Sequence, residues 1–298
     1  MHRRCFLLFI SAVLSTFSLF AQEEAGWLSL QRLSLTASGG YSYRPWNKLN
    51  ESLKIAQDAI NYGTDFTSPS GSAEKIIGDI SGRAALSYRV FSGLSLGVVG
   101  STTATSSHTD LEIQWGRRLQ DYRLTVWGYG VGAEYRLNIG ENYELSASIS
   151  VEHVRATLNF HYNLDYVSFG ERYDAKLSDT RNELRTGIHL ARRITQHVTI
   201  LCGVEYRHMA FPNLQGRASY TQVNGPSEPP YVEQFDSKLI ERGGYFGIDA
   251  HGIGSAERLG WLAMRVPPQN AFNPDTPSQP ATLNLSAFGL SLGVCIEF

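Results

Sequence analysis

The chain has 298 residues, enough for one large domain or two small ones, with 42% hydrophobic and only 18% charged residues. A formal net charge of −2 leaves no basic footprint for nucleic acid. After the first twenty residues there is no run of about 18 apolar residues, which excludes a membrane-spanning helix in the remainder. It does not exclude a spanning β-sheet, whose apolar residues come at every second position.

The N-terminus reads as a targeting segment. His2, Arg3 and Arg4 supply positive charge, Cys5 to Phe20 is mostly apolar, and Ala21 stands before Gln22-Glu23-Glu24 as a cleavage point. Leu19 at the minus-three position departs from the usual small residue. Residues 1–21 are therefore expected to be a signal peptide, with residues 22–298 as the mature domain.

From Leu33 onward the chain alternates with period two, the mark of half-buried strands. In the first segment Leu33, Leu35, Ala37, Tyr41 and Tyr43 oppose Ser34, Thr36, Ser38 and Ser42. In the second, Ile80, Ala84, Leu86 and Tyr88 oppose Asp79, Ser81, Arg83, Ser87 and Arg89. The third sets Leu94, Leu96 and Val98 against Ser95, Gly97 and Ser101. The fourth sets Tyr129, Val131, Ala133, Tyr135 and Leu137 against Gly130, Gly132, Glu134 and Arg136. The fifth begins with Leu145, Ala147, Ile149 and Val151 on one face and then shifts to Val154, Ala156, Leu158, Phe160 and Tyr162. A change of parity inside one strand predicts a β-bulge there.

The sixth segment sets Leu184, Ile188 and Leu190 against Glu183, Arg185 and His189. The seventh sets Val198, Ile200, Cys202, Val204 and Tyr206 against Thr199, Gly203, Glu205 and Arg207. The eighth sets Phe288, Leu290, Leu292, Val294, Ile296 and Phe298 against Gly289, Ser291, Gly293 and Glu297. Cys202 and Cys295 thus fall on opposite faces, and a disulfide needs Cβ atoms directed at one another, so free thiols are expected.

Connections alternate in length. Tight turns fall near residues 91, 141 and 196, and long loops at roughly 44–75, 106–121, 165–181 and 212–281. Short turns on one side and long loops on the other, with both termini at the short-turn side, is the layout of a membrane barrel. All 11 prolines lie in the first and fourth loops, as a closed sheet without edges requires. In the first loop Leu49, Leu53, Ala56 and Ile60 repeat at helical spacing and predict a short helix within Asn47–Ile60. The fourth loop is very long for a structureless connection. Tyr231–Leu239 and Gly243–Ile253 read as another hairpin, which leaves a ten-stranded barrel as the alternative.

The targeting segment, the eight alternating segments and the ending Leu290-Leu292-Val294-Ile296-Phe298 resemble the bacterial outer-membrane β-barrel superfamily, above all its small eight-stranded members. The resemblance implies an all-β, closed antiparallel transmembrane barrel in the bacterial outer membrane, with both termini periplasmic. It implies outer-membrane lipid around the chain and Leu292, Val294, Ile296 and Phe298 as the signal read by the barrel-assembly machinery. Tyr88, Tyr135 and Phe298 would form the inner aromatic belt, and Tyr41, Tyr43, Trp127, Tyr129, Phe160 and Tyr162 the outer one.

The polar face carries Asp79, Arg83, Arg89, Glu134, Arg136, Glu183, Arg185, Glu205 and Arg207. An eight-stranded barrel has an interior just wide enough to be filled by side chains, so these charges are expected to pair with one another.

Catalytic sets are weak. Ser107 lies on the opposite strand face from His108 and Asp110, which argues against a triad. Asp249-Ala250-His251 resembles the Asp-x-His pair of the omptin proteases, but the chain has no Asp-x-Asp for the second acidic pair. No His has a Ser two places on, unlike the lipid A deacylases and the outer-membrane phospholipase. His153 and His161 are too far apart along a strand to chelate together. No enzyme activity, cofactor or metal is expected. The leading expectation is a structural protein or one presenting its long loops to an external ligand. A channel for small solutes or hydrophobic compounds is the second reading, and an outer-membrane hydrolase the third.

Overall fold

The computed structural model describes residues 32–43, 70–73, 78–113, 116–166, 169–223, 229–242, 245–250, 260–261 and 279–298. The expected signal segment, the expected helix within Asn47–Ile60 and His251 lie outside these residues. In chain order the strands are β1 (Leu33–Tyr43), β2 (Ser70–Ala73), β3 (Gly78–Arg89), β4 (Leu94–Ile113), β5 (Gly116–Asn138), β6 (Tyr143–Tyr166), β7 (Phe169–Arg193) and β8 (Val198–His208). They continue with β9 (Ala210–Phe211), β10 (Gln215–Val223), β11 (Tyr231–Arg242), β12 (Tyr245–Ala250), β13 (Gly260–Trp261), β14 (Gln279–Pro280), β15 (Leu283–Asn284) and β16 (Ala287–Glu297).

Eight of these strands form a closed antiparallel ring in the order β1-β3-β4-β5-β6-β7-β8-β16, with β16 pairing back onto β1. They are the eight segments that the alternation predicts. β1, β8 and β16 are each 11 residues long, close to the 9–11 that a tilted strand needs to cross a bilayer. The ring strands contain no proline. The three tight turns fall where predicted. In the first, Gly93 has φ of 84°, a left-handed conformation that a Cβ would strain, and Arg136 N–H donates to its carbonyl at 2.7 Å.

The second and third long loops are corrected. β4, β5, β6 and β7 run 20, 23, 24 and 25 residues, so the described residues of the segments expected to be loops at 106–121 and 165–181 are strand. These four strands rise far above the rest of the ring. The predicted bulge in β6 is also absent: its pairing with β5 and β7 runs without a break from Glu144 to Tyr166. What changes is the polarity of the two faces. In the lower half Leu145, Ile149 and Val151 point outward and are exposed, while Ser146, Ser150 and Glu152 are buried inside. In the upper half Val154, Ala156, Leu158 and Phe160 are buried inside, while His153, Arg155 and Asn159 are exposed outside. A parity shift and a polarity inversion give the same apolar spacing, which is why the sequence alone suggested a bulge.

The upper half has its own core. Tyr122, Leu124 and Val126 of β5 join Val154, Leu158 and Phe160 of β6 and Tyr173 and Leu177 of β7 around Met209, Phe211, Leu214, Leu283 and Leu285. The last five belong to two chain segments that meet as the two-stranded β9–β15 sheet and sit over the mouth of the ring. Ring centroids of Tyr122 and Phe160 are 5.0 Å apart and those of Phe160 and Tyr173 5.7 Å. Each fully buried side chain of this size contributes roughly 1.5–3 kcal/mol.

β7 changes partner along its length. Its lower part pairs with β8, and Gly170–Ser178 pairs with β10. β11, β12 and β13 extend the sheet from β10. The hairpin predicted from Tyr231 onward therefore exists as β11–β12. It lies outside the ring, so the strand count of the ring stays at eight rather than ten.

Candidate functional site

The inward positions of the ring hold three clusters of charge. Nearest the upper core, Arg207 pairs with Asp79, donates to Thr103 Oγ1 at 2.8 Å and donates from Nε to the Leu285 carbonyl at 3.2 Å. That last bond ties the lumen to the segment that covers it.

In the middle, Arg185 lies 3.0 Å from Glu183, 3.5 Å from Glu205 and 3.9 Å from Glu152. Arg83 reaches Glu152 at 3.7 Å and donates to Ser150 Oγ at 3.0 Å. His189 Nε2 lies 3.3 Å from Glu205 and 3.1 Å from Ser291 Oγ. Gly187 makes room for this cluster, since a Cβ there would stand 2.8 Å from the His189 ring and 3.3 Å from Glu205 Cγ.

At the tight-turn end Arg136 pairs with Glu134 at 3.0 Å and Glu297 at 2.7 Å, and Arg89 reaches Glu297 at 3.0 Å. A cleft of about 50 Å³ lies in the lumen beside Arg83, Glu134, His189 and Glu205.

All nine charges predicted for the interior take part in these pairs. Sequence reading missed Glu152 and Glu297. Glu152 is completely buried and central, but the supposed bulge at 151–154 hid its face. Glu297 stood on the polar face of the last segment and could have been included on that ground.

Leu292, Val294, Ile296 and Phe298 are exposed on the outer face of β16, and Phe298 N–H donates to the Leu33 carbonyl at 3.1 Å. Among the described residues the outward band is left exposed, with Ile80 and Leu290 each 70% exposed. Tyr41, Tyr43, Trp127 and Tyr129 are exposed along its upper edge and Tyr135 and Phe298 along its lower edge. Phe160 and Tyr162 are corrected: Phe160 is buried in the upper core and Tyr162 packs against it. Cys202 is exposed on the outer face, Cys295 is buried inside, and both are free.

Ser107 is buried, whereas His108 pairs outward with Asp121 at 2.5 Å and Asp110 with Arg117 at 2.6 Å, so the three do not converge. Arg117 holds the Asp110 carboxyl below its ordinary value. His161 lies 2.6 Å from Asp174, which Arg172 also reaches at 2.8 Å. Burial would raise the Asp174 pKa, but these hydrogen bonds outweigh it and hold the group low. His153 contacts Asn182 at 3.2 Å.

No family model and no curated protein matches the chain. Among solved structures it is similar to the translocator domain of autotransporter NalP from Neisseria meningitidis, at TM-score 0.18 and 8% identity over 89% of this chain and 87% of that one. It is also similar to a Pseudomonas aeruginosa FadL homologue, at TM-score 0.18 and 11% identity over 89% of each chain.

Proposed function

We propose that the chain is an integral β-barrel of the bacterial outer membrane with an occluded lumen, in which the ring anchors the protein and the upper sheet presents a surface to the exterior. Both termini lie on the periplasmic side. The observation that carries this reading is the inversion of polarity within single unbroken strands. On β6 the outward residues are Leu145, Ile149 and Val151 below, and Arg155 and Asn159 above. An apolar exterior with a polar, paired interior suits a wall surrounded by lipid, and the reverse arrangement suits a sheet surrounded by water.

The role is structural or interactive rather than conductive. Paired side chains fill the lumen, and Phe211, Leu214, Leu283 and Leu285 cover its mouth. Binding at the exterior therefore falls to the upper sheet and its connections. Planar-bilayer recording on the refolded protein tests the reading, with no stable conductance steps expected. Large, regular steps would overturn the occluded lumen, and recovery of the protein from the soluble periplasmic fraction would overturn the membrane assignment.

A further inference from the structure

The outward face of the upper sheet carries cations without carboxylate partners. Arg123 of β5, Lys176 of β7 and Arg217 of β10 stand in one cross-strand row, with Asn159 of β6 between the first two. All four are exposed, and among the described residues none of the three cations makes an ion pair. Asp236 stands opposite Arg217 on β11 without pairing to it. Of the other carboxylates nearby, Asp121 is engaged by His108 and Asp174 by His161 and Arg172, and both line the groove beside the three cations. The row lines a groove of about 430 Å³, within the size range of small-ligand sites.

Height above the apolar band narrows the ligand. Arg123 and Trp127 share the outward face of β5 four residues apart, or about 13 Å along the strand. Allowing for strand tilt, Arg123 stands about 10 Å above Trp127 at the aromatic edge. The interfacial layer is about 5–8 Å thick on each side of the hydrocarbon, a level that long Arg and Lys side chains reach by extending along the wall.

We propose that this groove binds the phosphorylated headgroup of an outer-leaflet lipid, with Arg123, Lys176 and Arg217 contacting phosphate and Asn159 donating to it. The proposal rests on the membrane reading above. Two guanidinium forks with a flexible ammonium between them match phosphate oxygens bidentately and as a point charge.

The test uses refolded protein in phosphatidylcholine nanodiscs, titrated with bisphosphorylated lipid A and read by native mass spectrometry. Native protein is expected to retain the lipid. The Arg123→Gln/Lys176→Gln/Arg217→Gln variant is expected to bind it at least about tenfold more weakly, and lipid A stripped of its phosphates is expected not to bind. Arg217→Glu gives a second, single-site variant with the same expected direction, and Arg192→Gln at the tight-turn end is expected to bind as the native protein does. Equal binding by the triple variant or by the dephosphorylated lipid overturns the proposal. So does displacement of the lipid by equimolar inorganic phosphate, which would mark a free-anion site. A chain that does not enter nanodiscs defeats the membrane reading and this inference with it, whereas insertion without lipid retention defeats the inference alone.

Discussion

Glu152 and Glu183 stand directly opposite one another on β6 and β7, both pointing into the ring, and the guanidinium of Arg185 lies against both. Two buried carboxylates at paired positions repel unless a cation sits between them. Arg83 and Arg185 approach Glu152 from different strands, so the cluster links β3, β6 and β7 across the bore. This arrangement sets paired side chains across the bore.

Removing the central cation should therefore be costly. Arg185→Met leaves Glu152, Glu183 and Glu205 short of their shared partner and is expected to lower stability by about 3–5 kcal/mol. Adding Glu183→Gln in that background should recover part of the loss. Urea unfolding of the refolded protein in micelles measures both; an unchanged midpoint for Arg185→Met would show that the cluster contributes nothing.

The polarity inversion predicts opposite tolerances in the two halves of the wall. In the upper half, inward Phe160→Ala should cost about 3–5 kcal/mol, while outward Asn159→Ala should stay within about 0.5 kcal/mol. In the lower half, outward Val131→Arg should cost about 2–4 kcal/mol if that position lies near the bilayer midplane. Equilibrium unfolding in lipid vesicles gives all three values, and a tolerated Val131→Arg would argue that the band faces water.

The final strand supplies the test of assembly. Phe298 is exposed at the end of an apolar outward row, where the resemblance to outer-membrane barrels places the assembly signal. Phe298→Asp is expected to leave the chain unassembled in the periplasm, seen as loss of the heat-modifiable form on gels. Normal heat-modifiable protein in the outer-membrane fraction would remove Phe298 from that role.

The cysteines report the faces independently. Cys202 points outward from the ring and Cys295 inward, beside Arg136 at 3.2 Å. In vesicles neither is expected to react with a charged, membrane-impermeant maleimide, because a thiolate needs water to form and to meet the reagent. Both should react after unfolding in urea. Rapid labelling of Cys202 in the folded, vesicle-bound protein would place the lower band outside the lipid.

What the sequence determined by itself was local. The pleat turns successive side chains to opposite faces, so alternation from Leu33 to Phe298 disclosed the eight ring strands, the faces of Cys202 and Cys295 and the inward set from Asp79 to Arg207. Glycine and short polar runs marked the three tight turns. Tertiary structure decided what each face meets. Upper β6 repeats the period of its lower half with its polarity reversed, and only the β9–β15 sheet lying inside the wall distinguishes that from a bulge and reveals Glu152. Nor does period two choose partners. The β11–β12 hairpin has the alternation of a ring strand pair, yet β8 and β16 close the ring and leave it to join β10 above. Arg207 likewise finds Asp79 from a strand distant in sequence. Such pairings depend on closure of the ring, a non-local event that no short window of residues encodes.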